Sequence, residues 1–354
     1  MKNLAILFSF GSLLLLNACK PDDVIVDNPP ADTGYSTGAF VVNEGSFLQN
    51  NASITHVAED GTVTNDVYYA QNQVELGDVL QSFTVIGDRG YAVLNNSQKV
   101  EVVDMVTMKH AGAISGLSYP RFMVSAGNNK AFVSNGSTDG TIEVVDLASN
   151  QIESSIAVGK GPQRMGVYGN DVWVCNEGGW TLDSTITIVN AASHNVIDTV
   201  FVGHRPSDIV FDQLGYAWVL CAGETFYDAN WAVVGHSLAK LYRIDVAAHA
   251  VVSSIPVGLP GDHPTQLEIS PDGQVLYYEN NGVYRFDFVN ADFPGDLIIG
   301  EARTALRIQP STGQLWCASI SDFTNPSTVY VYSATGAPLK SFTAGIGTNG
   351  IEFQ

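Results

Sequence analysis

From residue 38 onward one pattern of apolar and polar positions recurs about seven times. Its clearest line is a short apolar run that exits into Asn, Gly, Ser or Glu: FVVNEG from Phe40, AVLNNS from Ala92, FVSNGS from Phe132, WVCNEG from Trp173, WVLCAG from Trp218, YYENNG from Tyr277 and WCASIS from Trp316. The exit position is Asn43, Asn95, Asn135, Asn176, Cys221, Asn280 and Ser319, at spacings of 52, 40, 41, 45, 59 and 39 residues. A period of this size without helical periodicity predicts a β-propeller, each run being the second strand of a blade. The fold class is all-β: a seven-bladed propeller of four-stranded antiparallel blades, with six or eight blades as the alternatives.

The other strands repeat too. An innermost strand begins at a proline in four units, at Pro120, Pro162, Pro206 and Pro264, where no ladder N–H is needed. The third strand alternates with period two, as in VEVVD ending at Asp104 and IEVVD ending at Asp146. A fourth strand closes on Gly159, Gly203, Gly258 and Gly300. Alternation of this kind lays one face of each blade against its neighbour. The first unit lacks an innermost strand, and the chain ends on TNGIEF, residues 348–353. The ring is therefore expected to close through the C-terminal strand, which removes a free edge.

The N-terminus adds a different kind of signal. Lys2 and the apolar residues 4–16 read as a secretory leader ending at LNAC. The leucine and the small residue ahead of Cys19 resemble a bacterial lipobox, with an ordinary secretory signal as the alternative. That resemblance implies cleavage after residue 18 and lipidation of Cys19. KPDD, residues 20–23, resembles the surface-export signal of Bacteroidota lipoproteins. Residues 19–37 read as a lipidated tether and 38–354 as the propeller. The expected location is the outer membrane, lipid-anchored and facing the exterior. The net charge is −20, which argues against nucleic acid and against docking on anionic lipid other than through the anchor. Cys175, Cys221 and Cys317 share no register and are expected to be small buried hydrophobes.

Candidate chemistry gathers on one face. In this topology the loops from second to third strand and the links between blades emerge together. Trp180, Phe226, Tyr227 and Trp231 sit on such loops, the last three in the longest insertion, AGETFYDANWAVVGHS. The residues at blade starts include Arg121, Arg164, Arg205, His263 and Arg303. They are expected to give a locally positive mouth at the axis, suited to an anion or an amide; the bland alternative is that they bond carbonyls of neighbouring blades. No catalytic set, metal site or cofactor is expected. HExxH, GxSxG and EF-hand patterns are absent from the sequence. A His/Glu/metal site could be assembled only from His204 or His263 with Glu44, Glu177, Glu224 or Glu279.

FVVNEGSF at Phe40, NASIT at Asn51, LGDVLQS at Leu76, NNSQKVEVVD at Asn95, YPRF at Tyr119 and WVLCAG at Trp218 resemble the YncE-like seven-bladed propellers, and within them a Bacteroidota lipoprotein subfamily. The resemblance covers the whole propeller. Its BtuG-type members capture cobalamin for a TonB-dependent outer-membrane transporter. It thus implies a non-enzymatic protein that binds a corrinoid on the loop-bearing face, with such a transporter as partner. The alternatives are a propeller lyase or lactonase with a divalent metal, and a protein-interaction module.

Overall fold

Each repeated apolar run folds as the second strand of a blade, buried on both faces because a blade lies between two others. In Lys130–Asn135 the side chains of Ala131, Phe132 and Val133 are all buried. Their period of two sends them to opposite sides. Ala131 and Val133 join the cluster holding Val93 and Val100 of the preceding blade, while Phe132 joins the one holding Met165 and Val172 of the following blade. Among the described residues seven such apolar clusters alternate with the blades around the ring. The core is therefore a set of layers between blades.

The computed structural model describes residues 34–354 except 291, 292 and 294. Cys19 and the expected tether up to residue 33 lie outside the described residues. Among the described residues there are seven four-stranded antiparallel sheets and one two-stranded sheet. The third blade runs outward as Pro120–Gly127, Lys130–Asn135, Thr141–Asp146 and Gln151–Ala157. The other blades follow the same order, but the first takes its innermost strand from the C-terminus. Thr348–Phe353 pairs antiparallel with Ala39–Asn43, Ile351 opposite Val41. Pro120, Pro162 and Pro206 each open an innermost strand, and Pro264 directly precedes one.

The recurrent asparagine and glycine have one physical explanation. The side-chain oxygen of Asn135 accepts hydrogen bonds from the backbone N–H of Ser118 and Tyr119 at 3.0 and 2.8 Å, fixing the link into its blade. Asn95 donates to the carbonyl of Pro120 at 2.9 Å, and Asn43 accepts from the Thr348 hydroxyl at 2.7 Å. Most of the closing glycines pack against this column, Gly300 excepted, where a Cβ would meet open space. A Cβ on Gly159 would lie 2.5 Å from the Asn176 amide, one on Gly258 2.6 Å from that of Asn280, and one on Gly345 2.7 Å from that of Asn43. Where the slot holds Cys221, the glycine against it is Gly203.

Two elements depart from the repeat, both in its longest spacings. A helix, Val67–Asn72, links the first and second blades, and its Tyr68 hydroxyl donates to Glu101 at 2.8 Å. The long insertion of the fifth blade forms its own hairpin, Glu224–Tyr227 with Val233–Ser237. Cys175, Cys221 and Cys317 are free and fully buried. Burial pushes the Cys317 thiol up to about 12, so it stays an unreactive thiol at neutral pH.

Candidate functional site

The innermost strands surround a central channel of about 460 Å³. At its mouth each blade contributes one polar side chain from the start of its innermost strand. These are Gln81, Arg121, Gln163, Ser207, Thr265, Thr304 and Asn349. Antiparallel pairing places the second-to-third-strand loops on the same face, because Pro120 pairs with Asn135 at the second strand's exit. Arg121 is half-buried and is held by one hydrogen bond, from its Nε to the Gln163 side-chain oxygen at 3.0 Å. Its guanidinium carbon lies 5.5 Å from the Tyr119 ring centroid. Among the described residues no carboxylate pairs with it. Burial lowers its pKa, offset by the charges of Tyr119, Glu177 and Glu44.

Below the mouth the charges are mutually satisfied. Arg164 pairs with Asp208 at 3.3 Å and stacks over Phe122, 4.8 Å from its centroid. Asp208 also accepts the Leu267 N–H at 3.0 Å. Arg307 bonds Glu268 at 2.7 Å, lies 3.5 Å from Glu352, and donates to the Ile351 carbonyl. This ladder touches the innermost strands of blades four, five, six, seven and one. Burial raises the pKa of Asp208 and of Glu352, against the pull of Arg164 and Arg307 respectively. The ladder was missed in the sequence. Its signal is a single charge inside each otherwise uncharged inner strand: Asp208 in PSDIVF, Glu268 in TQLEI, Arg307 in ALRI and Glu352 in TNGIEF.

The expected ring of arginines is therefore corrected to Arg121 at the mouth and Arg164 one place deeper. Arg205 turns aside to pair with Glu224 at the base of the hairpin. Arg303 is 5% exposed and buried between blades; it donates to the Tyr332 hydroxyl at 2.7 Å and to Glu301 at 2.8 Å, and stacks 4.8 Å from Tyr330. Nor is the mouth positive. Three guanidiniums in the lining meet Glu177, Asp208 and Glu352, while Glu44 and Glu268 bond lining residues from behind.

The aromatic side chains stand where the loops place them, around the mouth and in solvent. Trp231 is 83% exposed and Trp180 77%. Tyr227 lies 6.2 Å from Trp231, Tyr119 6.3 Å from Trp180, and Phe226 meets His204 edge-on at 5.7 Å. Phe47 and Phe323 are exposed on the same face. Trp180 and Trp231 each meet a neighbouring ring and still keep most of their surface in solvent.

His263 and His204 anchor the hairpin. The His263 Nδ1–H donates to the Ala222 carbonyl at 3.0 Å, since a carbonyl only accepts. In neutral His263, Nε2 then accepts the Thr225 hydroxyl at 3.0 Å, and that hydroxyl oxygen accepts from His236 Nδ1–H, also at 3.0 Å. His204 Nδ1 lies 2.8 Å from the Ser237 hydroxyl. Among the described residues no three His, Cys, Asp or Glu side chains are grouped to hold a metal ion.

A family model described as "Domain of unknown function (DUF5074)" matches residues 37–345. The chain belongs to that family. No curated protein gave a significant match. Among solved structures the fold is shared with a Kuenenia stuttgartiensis hydrazine synthase chain, at 18% identity and TM-score 0.62, covering 80% of this chain and 90% of that one. It is shared with a quinoprotein alcohol dehydrogenase-like protein of Bacteroides thetaiotaomicron at 14% identity and TM-score 0.64, covering 90% and 79%. A computationally designed protein, Ika8, matches at 13% identity and TM-score 0.57, covering 91% and 92%. At these identities the likeness is one of fold, the propeller, and function has to be read from the site.

Proposed function

We propose that this propeller is a lipid-anchored capture protein that binds a bulky amphipathic nutrient on its loop-bearing face. The first candidate is a corrinoid such as cobalamin, handed on to a TonB-dependent outer-membrane transporter. The observation that carries this reading is the pairing of exposed rings, Trp180, Tyr227 and Trp231, with a polar channel mouth on the same face. Rings cover the apolar edge of a macrocycle, and the amides, hydroxyls and Arg121 meet its polar groups. The YncE-like and BtuG-type resemblance supplies the ligand; the face follows from where the rings stand. The lyase-type alternative calls on His204 or His263 as metal ligands, whereas their hydrogen bonds support a role in holding the hairpin.

Calorimetry of the mature protein with cobalamin and cobinamide tests the reading. Trp231→Ala and Arg121→Ala are each expected to weaken binding by about 1–3 kcal/mol if they anchor the ligand. Asn150→Ala, in a turn on the opposite face, is expected to leave it unchanged. No heat from the wild-type protein would reject the corrinoid, and equal loss from the Asn150 variant would reject the face.

A further inference from the structure

We infer that the channel mouth reads a neutral carboxamide, with Arg121 donating to its carbonyl oxygen and Glu177 accepting its N–H. This deepens the capture reading and rests on it for the face involved. Of the three arginines lining the channel, Arg164 and Arg307 are paired with carboxylates. Arg121 uses only Nε, leaving both terminal nitrogens with their four N–H groups unspent. Glu177 lines the same channel as Arg121, and among the described residues its side chain accepts no hydrogen bond. The Gln81 side chain and the Gln163 amide nitrogen are likewise unengaged beside them.

The charge balance selects the ligand class. An anion would satisfy Arg121 but would enter a channel whose three lining guanidiniums already face three carboxylates, with Glu177 beside it and Glu44 and Glu268 behind. A cation would meet Arg121. A primary carboxamide carries an acceptor and a donor on one carbon and no net charge, so it complements both groups. A half-buried guanidinium strengthens its bond to a carbonyl, and a site built around paired polar groups rejects a ligand that leaves one unmatched.

The test uses the mature protein with isotope-labelled arginine. The Arg121 Nε–H resonance is assigned by its loss in Arg121→Lys. Acetamide is expected to shift it saturably, with acetate at least about tenfold weaker, and Glu177→Gln to remove most of that preference. Acetate matching acetamide, or a preference that survives Glu177→Gln, would overturn the inference. Calorimetry with cobalamin on the same samples separates the two readings. An amide response without cobalamin binding rejects only the corrinoid; cobalamin binding without amide preference rejects only the clamp.

Discussion

Removal of residues 348–354 is expected to open the ring, and the structure sets the scale. Ile351 is buried against Val41 and the seventh blade's Ala305 and Trp316, and losing a buried Ile side chain costs about 2–5 kcal/mol. Phe353 packs edge-on against Trp316 at 5.4 Å, a contact worth about 0.5–1.5 kcal/mol. Thr348 accounts for two buried hydrogen bonds, to Asn43 and from its N–H to the Ser327 hydroxyl, at about 1 kcal/mol each. Arg307 also loses the Ile351 carbonyl and Glu352. Even at the low end this comes to about 5 kcal/mol, a large share of the roughly 5–15 kcal/mol that holds a protein folded. Urea unfolding followed by tryptophan fluorescence, comparing the mature chain with one ending at Gly347, reads the loss as a lower midpoint. An unchanged midpoint would refute the idea that this strand closes the propeller.

Three more outcomes are expected. Gly159→Ala should destabilise by about 1–3 kcal/mol through overpacking on Asn176, and Gly159→Ala with Asn176→Ala should cost less than the two separate losses added, measured as a double-mutant cycle in thermal unfolding. Burial raises the Glu279 carboxyl above its ordinary value, so its contribution to stability is present below the unfolded pKa and lost as pH rises through the folded one; Glu279→Gln should therefore gain on the wild type in urea midpoint between pH 4 and pH 7. Cys19→Ala should leave unprocessed precursor or release soluble protein on membrane fractionation, and normal processing with retained membrane attachment would defeat the lipobox reading.

What was legible in the sequence had local causes. Asn135 caps N–H groups of the link into its blade, Asn43 caps the Gly345 N–H, and Gly159 is a glycine because a side chain there would strike Asn176. Pro120 marks a strand start because proline lacks only a donor that the position does not use. The direction of a long side chain has no such local cause. Arg121 and Arg303 hold near-equivalent places at blade starts. One faces the channel; the other is drawn between blades by Tyr330 and Tyr332, residues about 30 positions downstream. The pairing of the hairpin from Glu224 to Ser237 was equally hidden, since its turn carries Trp231 at a positive φ of 64° in place of a glycine.

Because the first blade borrows its innermost strand from residues 348–353, it stays incomplete until those residues have been made. Val41 finds Ile351 only once the chain has grown through all the intervening blades. The seam also reports on length: a product cut short before residue 348 leaves Ala39–Asn43 with an open strand edge, the kind of surface that pairs with other chains.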